Sequence, residues 1–437
     1  MRCHAPPGTL ALALVSMACG GWAAEAAAFG LALNGYIRSG VLITDDGTRG
    51  KDVGLMTQLG KFRLGNEQNT KIELLPKLSG STPDGVIARF RANLTHETQC
   101  TADWNCSDAD GHDLQVREGY AEIENLPFAP GVVFWAGKRY SSSNTSSHQY
   151  DWEYIQYNGT GGGFDRLDLG LAKMDLGLYA FTPSSESSLK PADPDAKGHP
   201  DNYSLNLWLK SIGGSGLDLE LVAHHMKRSE SRPGAADSGH GVTALYRLPG
   251  FYGISPGGYS RIALQYGKGL AAGNSLGKNG WGWANLDRTQ SWRLVFDALY
   301  TAGPLDIATF AFYQKDRQFR DWSSADTGWG RSMHALGVRP QHRLMKYLTM
   351  QYELGWEHYD ESDGATAGRN DMKGDLYKAT IAPTLTFGEG FWARPQLRAF
   401  ATYAKWDRGV SARLHDAYTR RGNRHTVNCG VQAEVWF

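Results

Sequence analysis

The chain of 437 residues is short of several things, and each shortage excludes a class of protein. Beyond the N-terminal segment no run of eighteen apolar residues occurs, so no transmembrane helix is expected. There is no excess of either charge: Lys plus Arg is 45 and Asp plus Glu is 45. A nucleic-acid binder would normally be basic, so no nucleic-acid partner is expected, and nothing reads as an acidic disordered tail. The 13 His show no paired spacing for a metal, so neither metal nor cofactor is expected. Gly159 to Gly163 is not a phosphate loop, because no Lys-Ser/Thr follows it and no strand–loop–helix surrounds it. No composition shift or linker marks a second domain, and no soluble plug segment is evident.

What is present points to export. Arg2 precedes an apolar run, Leu10 to Met17, and small residues then cluster at Ala18 to Gly21 and at Ala23, Ala24, Ala26, Ala27 and Ala28. This is the order of a secretory signal peptide, expected over residues 1–28. Cleavage is expected in the Ala26 to Ala28 stretch. Cys19 as a lipid-attachment site is the alternative, but Ser16 and Met17 fit such a box poorly. The remaining cysteines are Cys100, Cys106 and Cys429. The first two bracket a short polar loop, either as a small disulfide or as two free thiols. Cys429 has no evident partner and reads as a small apolar residue.

From residue 29 to 437 the pattern is period-two alternation. Leu205, Leu207 and Leu209 alternate with Asn206, Trp208 and Lys210; Gly213 to Gly216 breaks the chain; Leu217, Leu219 and Leu221 then resume the beat. Phe90, Ala92 and Leu94 oppose Arg89, Arg91, Asn93 and Thr95. Leu167, Leu169 and Leu171 oppose Asp168 and Gly170, with a tight turn expected at Ala172 to Asp175. Some connections are short, such as Thr301 to Pro304, and others are long and polar, such as Ser184 to Asn202 and Gly267 to Gln290. Short turns at one end and long loops at the other predict an all-β transmembrane antiparallel barrel of about eighteen strands, facing outer-membrane lipid. The final strand agrees. Val427, Cys429, Val431, Ala433, Val435 and Phe437 form an apolar face, while Thr426, Asn428, Gly430, Gln432, Glu434 and Trp436 form a polar one. Trp436 is the misfit on that polar face.

The 14 Trp and 20 Tyr are mostly expected in the girdles at the membrane interfaces. A sugar, however, offers C–H faces to aromatic rings and hydroxyls to charged groups, so a lumen with both suits it. Tyr36 and Arg38 share a face of the first strand opposite Gly35 and Ile37. Arg63, Lys71 and Glu73 are expected on the odd-numbered face of the next extended region, opposite Phe62, Leu64, Ile72 and Leu74. The competing readings are a non-specific ion and small-solute porin, and an embedded hydrolase using Ser147, His148 and Asp151. The second lacks an oxyanion-hole signature, and an enzyme is not expected.

Asn34-Gly35-Tyr36-Ile37-Arg38-Ser39-Gly40, Arg63-Leu64-Gly65-Asn66-Glu67, Trp135-Ala136-Gly137-Lys138-Arg139 and the run from Arg394 to Asp407 resemble the maltoporins and the related sucrose porins across nearly the whole mature chain. The resemblance implies an eighteen-stranded barrel, a homotrimer, a third loop folded inward as a constriction, and an oligosaccharide substrate. It implies an aromatic slide of Tyr36, Trp104, Tyr259, Trp392 and Trp436, with a gap at Lys71. It implies polar partners Arg38, Arg63, Glu73, Arg117 and Asp151. Trp104 would reach in from a neighbouring subunit, its loop held by a Cys100–Cys106 bridge. The third loop departs from the maltodextrin pattern. Ser141 to Ser147 offers small side chains where those channels place Arg and Asp, and Glu153 falls where they carry a constricting Tyr.

Overall fold

The structure is a computed structural model and describes residues 29–57, 59–98, 114–141, 145–181, 202–213, 218–229, 231, 234–279, 285–319, 328–363, 372–419 and 422–437. The signal segment, Cys100, Trp104, Cys106 and Ser142 to Asn144 lie outside these residues.

Eighteen strands form one antiparallel sheet. They are β1 (Gly30–Thr44), β2 (Thr70–Ser81), β3 (Ile87–Thr98), β4 (Gln115–Leu126), β5 (Ala129–Ser141), β8 (Tyr157–Asp168), β9 (Lys173–Phe181), β10 (Asn202–Ile212), β11 (Asp218–Arg228), β12 (Ser238–Phe251), β13 (Ser255–Gly269), β14 (Gln290–Ala302), β15 (Leu305–Phe319), β16 (Trp329–Met345), β17 (Leu348–Asp363), β18 (Lys373–Thr386), β19 (Gln396–Trp406) and β20 (His425–Trp436). Two short strands, β6 (Ser146–Ser147) and β7 (Trp152–Glu153), pair only with each other. β1 pairs with β20, Tyr36 opposite Trp436 and Arg38 opposite Glu434, so the sheet closes on itself. Closure leaves no unpaired edge, the condition for crossing a bilayer with strands. Among the described residues no helix is long and apolar enough to do so.

The alternation resolves into an inside and an outside. On β18, Lys378, Thr380, Ala382 and Thr384 are buried, while Tyr377, Ile381 and Leu385 are exposed. On β20, Thr426, Asn428, Gln432 and Glu434 point inward, and Val427, Cys429 and Val431 outward. The interior is therefore polar and the exterior apolar, the reverse of a soluble protein and the expectation for a membrane barrel.

Eight connections at one end run from two to nine residues, for example 303–304 and 346–347; those at the other reach twenty or more, for example 45–69 and 270–289. We call these the turn end and the loop end. The tight turn after β8 falls at Leu169 to Ala172, closed by Leu169 N–H to the Ala172 carbonyl at 2.9 Å, three residues before the expected place. Alternation alone does not mark a turn when its residues are Leu. The glycine run explains itself sterically. Gly161 and Gly163 on β8 lie opposite Tyr179 of β9 and Trp135 of β5. With no side chain between them, those two rings meet at 5.2 Å.

The largest departure from expectation concerns residues 53–69. They do not continue the alternation into β2. Phe62 and Leu64 face neither lipid nor a sheet partner but lie buried inside the barrel, as do Val53, Leu55 and Met56. Asn66 folds the segment on itself, accepting from Val53 N–H at 2.8 Å and donating to the Val53 and Phe62 carbonyls at 2.8 and 2.9 Å. Gly65 takes φ +62°, where a side chain would also collide with Thr402. The Phe62 ring rests where Gly337 of β16 and Gly355 of β17 leave room for it.

Candidate functional site

Two loop-end segments enter the lumen and hold each other there. The first, residues 53–69, is tied to the wall by Lys378, whose ammonium donates to the carbonyls of Phe62 and Leu64, each at 2.7 Å, and to Glu353 at 2.8 Å. The second, residues 145–156, carries the β6–β7 hairpin. Lys61 N–H donates to the Tyr150 carbonyl at 2.7 Å and Arg63 N–H to that of Gln149 at 3.1 Å. Tyr150 stacks on Phe310 at 4.6 Å and meets Phe62 edge-on at 4.9 Å. Trp152 lies under the Arg293 guanidinium at 4.6 Å. Backbone carbonyls along the segment are bound from the wall: Ser146 by Arg261 at 2.9 Å, Tyr154 by Gln265 at 2.9 Å. Residues 145–156 thus pack against wall side chains of β13 and β14.

At the turn end one connection, residues 387–395, is longer than its neighbours and also enters the lumen. It brings Trp392 to 6.2 Å from Trp436, and Trp436 stacks on Tyr36 at 6.5 Å with ring planes 22° apart. The three residues make a continuous aromatic row. Trp392 remains 44 % exposed, so a ring face is open to a solute. Trp436 is on a polar face because its partners are there: Tyr36 on one side and the Arg394 guanidinium on the other, 3.8 Å from the ring centre. Tyr259 packs against the cluster of Leu299, Ala308 and Phe391, and Phe391 touches Trp392 at 4.9 Å.

The charged groups form two clusters. Around the aromatic row, the fully buried Glu434 carboxylate receives Tyr36 O–H at 3.0 Å, Arg394 at 2.8 Å, Arg398 at 2.7 Å and Arg63. Arg63 also meets Glu67 at 2.8 Å; Glu67 pairs with Arg38, and Arg38 donates to Asn69 at 2.9 Å. Further along, Glu73 takes Arg117 at 2.8 Å and Lys71 at 3.0 Å. Arg117 lies 5.9 Å from the Tyr140 ring centre, and Tyr140 O–H donates to Glu153. Asp151 takes φ +46° within reach of Arg63, Lys61, Arg38 and Lys71. Desolvation pushes its carboxyl up, but Arg63, Lys61, Arg38 and Lys71 outweigh that and hold it below the ordinary carboxylate range. Burial pushes the Glu153 carboxyl up against the pull of Tyr140, Lys278 and Arg117. Burial, aided by Arg293, lowers the Lys278 ammonium to about 8.

The structure therefore brings together Tyr36, Arg38, Arg63, Trp392 and Trp436, and separately Glu73, Arg117 and Glu153. Tyr259 joins the row through the Phe391 cluster. Arg63 reaches the site from the inward segment and not from β2. The Ser147, His148 and Asp151 relay is not assembled. Both imidazole nitrogens of His148 face guanidinium groups, Arg63 at 2.8 Å and Arg394 at 3.1 Å, and its ring lies edge-on to Trp392 and Trp436. Enclosure and those cations push its pKa well below the ordinary histidine value. Sequence reasoning missed Glu434, Glu67, Arg394, Arg398 and His148 as members of the site. Glu434 was marked by its place on the polar face of β20. Glu67, Arg394 and Arg398 stood inside motifs that carried the family resemblance but were given no role, and His148 was weighed only in a Ser-His-Asp trio.

A closed barrel with a polar lumen, an apolar exterior and loops folded into its bore is an outer-membrane channel. The chain matches the LamB porin family model over residues 31–437 and belongs to that family. Solved structures similar in fold include OccAB1 of Acinetobacter baumannii, at 11 % identity and TM-score 0.50, covering 93 % of this chain and 96 % of that one. OprD of Pseudomonas aeruginosa aligns at 9 % identity and TM-score 0.47, covering 93 % and 95 %.

Proposed function

We propose that this porin selects sugars and passes them by passive diffusion. The observation that carries the reading is the continuous row Tyr36–Trp436–Trp392 flanked by the Arg63, Arg394 and Glu434 charges. Rings suit the C–H faces of a pyranose, and ionised groups at the flank suit its hydroxyls. A non-specific porin needs no such pairing, because an aqueous bore passes small ions with charged walls alone. Maltodextrins, sucrose and related oligosaccharides are the proposed substrates. Liposome swelling tests this: sugars should enter faster than polyols of equal size, and equal rates would favour the non-specific reading.

The inward third loop is the proposed constriction. Small Ser and Thr side chains at Ser141 to Ser147, several of which lie outside the described residues, would leave more open section than Arg or Tyr, and Glu153 would add an acid there, which favours cations. A homotrimer is the proposed assembly, with Trp104 of each subunit lent to a neighbour by a loop that a Cys100–Cys106 bridge stiffens. Rapid thiol labelling of both cysteines in the folded, unreduced protein would contradict that bridge.

A further inference from the structure

The outward face of the barrel at the loop end is not uniform. On β1 to β4 the outward positions there are Val41, Ile43, Ile72, His96, Leu94 and Val116, with no Lys or Arg. On β16 to β18 charges occur but are matched: Lys373 pairs with Asp360 at 2.8 Å, and Asp375 accepts from His358 at 2.7 Å. Across β11 to β15 the pattern is different. His225, His240, Lys268, Gln290 and Arg317 are register partners in turn, one from each strand. Lys227 stands one outward position closer to the loop end on β11. Among the described residues none of Lys227, Lys268 and Arg317 has an acidic partner, and no acid shares this outward face. The acids of these strands near the loop end point inward, as Asp316 does to Arg331 at 2.6 Å.

The next outward row toward the turn end is Ala223, Val242, Tyr266, Trp292 and Lys315, followed by Leu221, Ala244, Leu264, Leu294 and Tyr313. A basic row, then one that holds Tyr266 and Trp292, then a mainly aliphatic one follows the order of layers from a head-group region into a hydrocarbon core. With strands about 4.8 Å apart, the basic row spans about 20 Å, wide enough for more than one head group. Unneutralised cations at that depth attract anionic lipid, and their ammonium and guanidinium groups donate well to phosphate oxygens.

We propose that the β11–β15 sector is a binding surface for phosphorylated lipid of the surrounding leaflet, held by Lys227, Lys268 and Arg317 with His225 and His240 beside them. The surface is independent of the lumen. Its occupant is a lipid and not free phosphate, because the cations sit directly above rings and aliphatic side chains that need an acyl chain to cover them.

Lipid retention tests this. The full barrel in detergent is incubated with equimolar phosphatidic acid and phosphatidylcholine, passed through size exclusion, and its bound lipid quantified by mass spectrometry. Phosphatidic acid should be enriched. The combined variant Lys227→Gln, Lys268→Gln and Arg317→Gln should lower its retention on the order of tenfold, toward the level of phosphatidylcholine. Arg317→Gln alone should give a smaller loss in the same direction, which keeps the test decisive if the triple variant does not fold. Lys373→Gln, in the sector where the charges are matched, should retain the wild-type preference. Three results would overturn the proposal: unchanged retention in the triple variant and in Arg317→Gln, a loss in Lys373→Gln equal to that of the triple variant, or displacement of the lipid by inorganic phosphate.

Discussion

Glu434 holds the site together more than any other residue. One buried carboxylate faces three guanidinium groups and a phenol, so its charge is what allows Arg63, Arg394 and Arg398 to sit close to one another. Breaking a buried ion pair from one side costs about 3–5 kcal/mol, because the partner charges stay buried. Glu434→Gln should therefore lower the thermal unfolding temperature of the detergent-solubilised barrel and loosen Trp436, which Arg394 covers. An unchanged unfolding temperature would mean the arginines are satisfied elsewhere. This cluster shows what a single sequence reveals at residue scale. The alternation put Glu434 and Trp436 on one polar face, but only closure of β20 onto β1 makes Tyr36 their neighbour. His148 was visible only as a member of a chance Ser-His-Asp trio; the arginines on both its nitrogens come from loops distant in sequence.

At the scale of elements, the strands were legible and the inward segments largely were not. Period two reports which face a strand residue takes, and β11, β18 and β20 follow it closely. Residues 53–69 broke the rule because their apolar side chains are buried in the lumen by loop folding, where burial has no period. The third loop was expected inward from resemblance; its described residues are tied to Arg261, Gln265 and Lys61, and the constriction itself is a proposal. Two predictions belong to that loop. Glu153→Gln should reduce cation preference in reversal-potential measurements, since charge is lost and shape kept; an unchanged potential would place Glu153 away from the narrowest point. Raising the pH through about 8 should strip the proton from Lys278, whose charge opposes Glu153. Loss of a positive charge makes the neighbourhood more negative, so cation preference should rise between neutral and alkaline pH. Lys278→Gln should abolish that rise, and persistence of the rise in this variant would assign it to another group.

The whole molecule combines a fold set by alternation with a function set by its exceptions. The polar wall, apolar belt and closed register would serve any porin, and they give no preference for a sugar. The preference we propose would come from an aromatic row placed where alternation calls for polar residues, and from a turn-end connection long enough to add Trp392 to it. The central claim is that this row grips sugar in transit. Single-channel current in planar bilayers measures that most directly. Oligosaccharide should block the ion current reversibly. Trp392→Ala and Trp436→Ala should each weaken the block about fivefold, the equivalent of about 1 kcal/mol per stacking contact. A current that no mono- or oligosaccharide perturbs, in a channel that still conducts ions, would contradict the account and leave a general porin in its place.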